Sequence, residues 1–382
     1  MNIFIAGEEG KRHPVASKFH EDSDGNFWEE RGTVGGRKFY VPAPEWAGNI
    51  NPYLFEGPNI FITAHPKPLC DVPALRLGST PRDGGNLILT DDEKAELLRT
   101  DPQAEKFIRP YMMGREFINR ISRWCLWMVG AEPADIRKCP RVLERIERVR
   151  LFRQKSTRAA TREQANTPAL FSEIRASKTD YLAVPQVSSE RRRYIPIGWL
   201  SADVIAGNNL YISENATLYQ FGILNSSVHM AWVRKISGRL EISYRYSNTL
   251  DYNAFPWPIL PPPPVKPGEN PKVHPSVKEI ESTAQGILNA RALYPKSSLA
   301  DLYDERTMPP ELRKAHRAND DAVMRAYGFT RHYEDETFHD EDIVINLMYM
   351  YQDLTGCEEF KGSYPNRELW LSYYPEDDDE EY

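Results

Sequence analysis

Four consecutive prolines at 261–264, within FPWPILPPPPVKPGENP (255–271), constrain this chain more than any other feature. Proline fixes φ and removes the backbone donor, so neither a helix nor a central strand passes through such a run; an extended polyproline conformation is what remains. The run divides the 382-residue chain into a larger leading part and a smaller trailing one. We read residues 51–258 as one mixed α/β domain, 259–272 as a proline-rich linker, 273–356 as a small helical domain and 357–382 as an acidic tail, an α+β arrangement overall. Residues 1–50 read as a loop-rich, β-containing leading segment.

Ahead of the prolines, short strands alternate with helices. NIFIT (59–63) and NLILT (86–90) lie between clusters of turn formers and read as short buried strands. TDDEKAELLRT (90–100) has the acidic first turn of a helix, and Trp124-Cys125-Leu126-Trp127 reads as a buried strand. After Pro140, Val142, Ile146 and Val149 fall along one helical face, with Arg141, Arg145, Arg148 and Arg153 placed away from it. DYLAVPQVSSERRRYIPIGWL (180–200) reads as two strands joined by an arginine-rich turn, and residues 216–237 as one helix closed by Gly238. GRLEISYRYS (238–247) alternates as a single strand: Leu240, Ile242, Tyr244 and Tyr246 on one face, Glu241, Ser243, Arg245 and Ser247 on the other. Beyond the prolines come three helices: one opening on a Ser276–Glu279 capping box, one from Pro309-Pro310 to Gly328, and one over roughly 341–355.

Charge narrows the function classes. Residues 101–250 carry a net +10, against −4 for residues 1–100 and −13 for residues 251–382. A basic middle between acidic ends suggests a segment that binds a polyanion, because local potential rather than overall charge attracts phosphate. No run of about 18 apolar residues exists, so no membrane-spanning helix is expected. The first residues, MNIFIAGEEGKRHPV, put no cationic segment ahead of a sustained apolar one, unlike a secretory signal. Cys70, Cys125, Cys139 and Cys357 form no CxxC pair, which excludes a four-cysteine zinc ribbon and fits a reducing cytoplasm.

Familiar chemical motifs are missing. No GxGxxG follows a strand and no GxxxxGK[ST] loop occurs; Gly7-Glu8-Glu9-Gly10 would repel phosphate with its two carboxylates. His332, Glu334, Asp335, His339 and Asp340 are close in sequence, but their spacing fixes no metal geometry and reads as a polar loop. No GxSxG nucleophile motif is present. The basic elements are more informative. Arg191, Arg192 and Arg193 at a turn, Arg145, Arg148 and Arg153 on a helix, and Arg239 are candidates for phosphate contact, since guanidinium groups bind phosphate bidentately. Along the 238–247 strand, Glu241, Ser243 and Arg245 set an acceptor, a hydroxyl and a forked donor at every second residue, groups that match base edges.

Six blocks carry a family resemblance in one order: INPYLFEGPNIFI, KPLCDVPALRLGSTPRDGGNLILTDDEKAELL, EKFIRPYMMGREFINRISRWCLWM, DYLAVPQVSSERRRYIPIGWL, ATLYQFGILNSSVHMAWVRKISGRLEISYRYS and YNAFPWP. Together with SLADLYDERTMPPELRKAHRANDDAVMRAYG they resemble the MmeI-like (type IIL) restriction-modification DNA methyltransferases over roughly residues 50–355. In that family one long chain joins a nuclease, an adenine methyltransferase, a target-recognition domain and a helical C-terminus, and this chain resembles the last two. The resemblance implies that bases are read by the strand matching GRLEISYRYS. Glu241 and Ser243 fall on positions that vary with the recognised base, Ser243 standing where a charged residue is more usual, and Arg245 falls on the arginine of the YRY triplet. The family's (Asp/Asn)-Pro-Pro-(Tyr/Phe) motif has only a near match in Asn51-Pro52-Tyr53-Leu54, and no nuclease signature is found. The resemblance thus implies a double-stranded DNA recognition module that neither methylates nor cuts alone, either a separate subunit or part of a divided gene. S-adenosylmethionine would then bind a methyltransferase domain or partner chain. The alternative is a single-strand or RNA-binding protein that stacks bases on Trp124, Trp127 and Tyr244.

Overall fold

The computed structural model describes residues 19–21, 23, 26–34, 37–42, 44, 46–261, 273–329, 339–356 and 364–368. The Gly7–Gly10 turn, residues 262–272 of the linker, His332, Glu334 and Asp335, and the 375–382 acidic run lie outside them. Two units make up the chain, residues 1–61 and 62–382. In the first, β1 (Phe19–Glu21), β2 (Phe27–Val34) and β3 (Arg37–Pro42) form an antiparallel meander whose register shifts between Glu30 and Gly32.

Residues 59–63, expected as a strand, pair with no strand among the described residues. The alternation behind that expectation is real, for Ile60 and Ile62 are buried while Phe61 is exposed. The backbone is satisfied differently: Ile60 donates to the Pro58 carbonyl, and Thr63 to the Tyr351 hydroxyl at 3.2 Å.

The second unit runs through β4 (Arg76–Leu77), β5 (Ile88–Leu89), α1 (Asp91–Thr100), β6 (Ile108–Met112), α2 (Gly114–Asn119), β7 (Trp124–Leu126), α3 (Pro133–Ile136), α4 (Pro140–Gln154) and α5 (Ala159–Glu163). Thr90 and Glu93 close a capping box that starts α1 after the short β5 strand. Then come β8 (Tyr181–Pro185), β9 (Val187–Ser188), β10 (Gly198–Leu200), β11 (Ile205–Ala206) and β12 (Leu210–Glu214). One sheet has the order β10-β8-β12-β4 and is antiparallel; the other, β11-β6-β7-β5, has β11 parallel to β6. Leu87, Tyr111, Cys125, Leu126, Val142 and Val149 form one buried cluster that joins α4 to this second sheet. Each large apolar side chain buried there contributes about 1.5–3 kcal/mol.

The single helix expected over 216–237 is two, α6 (Leu218–Leu224) and α7 (Ser227–Ile236). Ser226 causes the break: its hydroxyl accepts the His229 N–H at 3.2 Å and caps a new helix. Next follow β13 (Gly238–Leu240) and β14 (Ser243–Arg245), then α8 (Pro275–Ala292), α9 (Leu299–Leu302), α10 (Pro310–Ala326) and α11 (Asp340–Leu354). The expected Ser276 cap is displaced by two residues to His274, whose Nδ1 accepts the Ser276 N–H at 3.2 Å, and α8 opens at Pro275. α10 ends ahead of Gly328, which takes φ +76°, as anticipated for a terminating glycine.

The C-terminal helices pack on the preceding segment, α8 against both α6 and α10, and α11 against α7. At Gly222 of α6 a Cβ would lie 2.6 Å from Ile280 Cγ2 of α8, so only glycine permits that approach. Among the described residues no helix is long and apolar enough to cross a membrane.

Candidate nucleic-acid interface

The 238–247 segment is not one strand. It folds back on itself as a hairpin, with Leu240 opposite Ser243, Arg239 opposite Tyr244 and Gly238 opposite Arg245. Glu241 and Ile242 are the two turn residues, and Glu241 takes φ +55°. The first turn position is where a type II′ hairpin favours glycine. Glu241 therefore leaves the face assigned to it and stands at the exposed tip. Ser243 and Arg245 do share a face, outward, together with Leu240 and with Val187 of β9, which pairs with Arg245. The inward face holds Tyr244, which is buried, with the Arg239 guanidinium 4.0 Å over its ring. Arg245 accepts from the Ser237 hydroxyl through its carbonyl at 3.1 Å, while its exposed guanidinium makes no hydrogen bond or ion pair among the described residues.

The hairpin's root is held by buried polar groups. Asp251, fully buried, accepts from the Ser247 N–H at 2.6 Å and lies 3.1 Å from the Ser237 hydroxyl, spanning the two ends of the hairpin. Burial pushes its carboxyl up to about 7. Tyr246 meets buried His229 of α7 at 3.0 Å, and burial drives that imidazole down to about 3. At the end of α7, Arg234 pairs with Asp340 (Nη2 to Oδ1, 2.8 Å) and Lys235 with Glu341, so the acidic first turn of α11 grips the base of the hairpin.

The arginine turn follows β9 directly. Arg191 is exposed, its Nε 3.6 Å from Glu190, whereas Arg192 and Arg193 are half-buried. Arg191, Arg192 and Arg193 line a cleft of about 600 Å³ with Arg234, and Glu190, Glu305, Asp340 and Glu341 line it as counter-charges. Tyr194, next in sequence, donates to Asp320 of α10 at 2.5 Å and stacks on His316 with ring centroids 4.0 Å apart. Asp320 also accepts the Ser227 N–H at 2.7 Å, so one buried carboxylate fixes both the turn and the start of α7. Burial raises that carboxyl to about 7 and holds His316 well below its ordinary range. The sequence offered only a weak signal for Asp320 and Asp251, polar residues on otherwise patterned elements.

The helical arginines separate into different roles. Arg153, expected to face phosphate, is fully buried, and all five of its N–H groups donate to backbone carbonyls: Pro81, Arg82, Gln164, Thr167 and Leu170, at 2.7–3.0 Å. Its position was legible, because 142, 146, 149 and 153 follow the spacing of one helical stripe. Arg145 is pinned to α1, donating to Glu93 at 3.0 Å and to the Asn86 carbonyl at 3.1 Å. Arg148 is exposed and has no partner among the described residues.

The aromatic rings put forward for base stacking are engaged within the chain. Lys94 Nζ sits 3.1 Å over the Trp124 ring, Trp127 packs edge-on against Phe171 at 5.0 Å, and Tyr244 lies beneath Arg239. Nor do the tight glycines make a cradle for S-adenosylmethionine. A Cβ at Gly78 would strike the backbone of Ala206 and Gly207, one at Gly207 would strike Tyr111, and one at Gly222 would strike Ile280. These glycines serve close packing of the chain on itself.

Comparison with known proteins gives a consistent set of similarities. The profile of "MmeI, target recognition domain" matches residues 56–259 and that of "MmeI, C-terminal domain" matches residues 273–357. The chain is 38% identical over 307 residues to DNA methyltransferase A of Bacillus subtilis (strain 168), a match covering 80% of this chain and 33% of that protein. It also superposes on the Type IIL restriction-modification enzyme MmeI, solved in complex with DNA, with a TM-score of 0.74 and 40% identity over 88% of this chain and 42% of that one. The chain thus spans between a third and a half of the length of these relatives.

Proposed function

Because the chain belongs to the family of MmeI target recognition domains, we propose that it reads a specific sequence in double-stranded DNA for an adenine-specific methyltransferase of a restriction-modification system. The observation that carries this reading is the β13–β14 hairpin inside the matched residues. It projects from the three-stranded sheet β13-β14-β9, and its tip beyond Tyr244 is two strands wide, the width the major groove admits, with Ser243 and Arg245 outward and Glu241 exposed at the turn.

In this reading Arg245 donates two parallel N–H groups to guanine N7 and O6, Glu241 accepts from the cytosine amine, and Ser243 adapts to either kind of edge. Arg191, Arg192 and Arg193, with Arg239 and Arg148, contact phosphates and set the register without reading sequence. The paired acids Asp340 and Glu341 keep Arg234 and Lys235 as structural anchors rather than phosphate ligands. Methyl transfer belongs to a methyltransferase domain or partner chain, which would hold S-adenosylmethionine. The MmeI structure is a complex with DNA, and the occupied aromatic rings here leave no stacking platform of the kind single strands use.

Competition tests it. Labelled duplex bound to the 382-residue chain should be displaced by unlabelled duplex far better than by single-stranded DNA or RNA of equal length. Equal displacement by single strands would contradict the reading.

A further inference from the structure

We propose that Leu240 and Ile242, the apolar residues of the hairpin tip, read the C5-methyl group of a thymine. The inference rests on the DNA-reading role proposed above and adds a specificity element to it. Leu240 is 49% exposed and Ile242 66%, although the hairpin is short and its inward face is already filled by Tyr244. Leu240 lies on the outward face opposite Ser243, in the same sheet as Arg245 and Val187, the last 37% exposed. Ile242 shares the turn with Glu241.

An apolar pair in water at this position has no role in the hairpin's own core. Phosphates and sugars give it no favourable contact, and neither do the hydrogen-bonding edges that Glu241, Ser243 and Arg245 suit. In the major groove the one apolar group on an unmodified base is the thymine C5-methyl. Branched side chains flanking a carboxylate, a hydroxyl and a guanidinium therefore complete a set: each polar group addresses an edge atom, and Leu240 and Ile242 close over a methyl beside it. Gly238, also outward, has open space around the position of a Cβ, so nothing on that strand blocks a base from approaching. A minor-groove wedge would work differently. It unstacks a base step without needing polar neighbours, and its effect would fall on all duplexes alike.

The test uses the full chain and the duplex it selects from a randomised pool, with each thymine replaced in turn by deoxyuridine. One replacement should weaken wild-type binding about fourfold, the worth of one buried methyl group. Leu240→Ser and Ile242→Ser, both at exposed positions, should bind more weakly and lose most of that sensitivity while keeping the wild-type circular dichroism spectrum. Four results overturn the inference: a selected site without thymine, deoxyuridine tolerated throughout, variants that retain full sensitivity, or variants weakened equally on every duplex. Absence of any sequence preference would instead sink the DNA-reading role itself, so the two failures are distinguishable.

Discussion

The Tyr194 hydroxyl donates to the Asp320 carboxylate at 2.5 Å, joining the arginine turn to α10. Asp320 accepts the Ser227 N–H as well, and at the other end of α7 the Arg234–Asp340 pair ties the hairpin root to α11. The trailing helices are therefore the mould in which the reading elements are set. A change in them reaches the interface through these few polar contacts.

Four buried titratable groups make that mould pH-sensitive in a way that single variants expose. Asp320 and Asp251 hold their protons up to about 7 when folded, against 3.8 ordinarily, so their contribution to stability is lost as pH rises through 7. His229, driven down to about 3, and His316, also depressed from 6.5, act oppositely: their contribution is present above 6.5 and lost on acidification. Between about pH 4.5 and 6.5 the two pairs act in opposite directions. Asp320→Asn removes one carboxyl, so its stability should climb with pH across that window by about 1.4 kcal/mol per unit relative to wild type. Urea unfolding at several pH values measures it, and parallel profiles for the two proteins would contradict the assignment.

Arg153 and Arg148 lie five residues apart on α4 and should behave as opposites. Arg153→Ala strands five buried carbonyls and is expected to cost about 3–5 kcal/mol in urea unfolding. Arg148→Ala should change stability by less than about 0.5 kcal/mol while reducing the salt slope of duplex binding by about 1. Equal stabilities for the two variants would show that Arg153 is not the clamp described.

The arginine turn positions the duplex and does not read it. Replacing Arg191, Arg192 and Arg193 together by alanine should weaken binding to all duplexes alike and flatten the dependence on salt, because fewer counterions are released. A loss confined to one sequence, measured by titration of several unrelated duplexes, would move these residues to the base-reading set.

Glu241 occupies a backbone conformation that suits glycine, with φ +55°. Glu241→Gly should hold or raise stability by up to about 1 kcal/mol, since a side chain in the left-handed region costs about 1–2 kcal/mol. Glu241→Val, β-branched at the same φ, should lose stability. A thermal unfolding series that ranks valine above glycine would mean the turn is not formed as described.

Much of this architecture is written in local chemistry. The Thr90–Glu93 cap, the Pro140 start of α4, the Pro310 start of α10 and its end before Gly328 all follow from residues whose preferences act within one turn. The hairpin was not legible in the same way. Strict alternation over 238–247 is the same whether the strand runs straight or reverses at Glu241-Ile242, and no glycine or asparagine marks the reversal. The split between α6 and α7 was hidden because Asn225 and Ser226 read equally well as polar positions within one helix. His229, His316 and Asp320 depend on partners as far as 126 residues away, and Asp251, bonded to nearby Ser247 and Ser237, on its burial; no local pattern records either.

Base reading by the hairpin tip is tested most directly by selecting binding sites from randomised duplexes with wild type and Glu241→Lys, in the presence of any methyltransferase partner. A carboxylate accepts from the cytosine amine and is repelled by guanine O6 and N7, whereas an ammonium reverses both relations. The substitution should move preference at one position from cytosine towards guanine, by about 1–3 kcal/mol, and leave the other positions nearly unchanged. An identical preference at every position would show that Glu241 touches no base and that the hairpin is not the reading element.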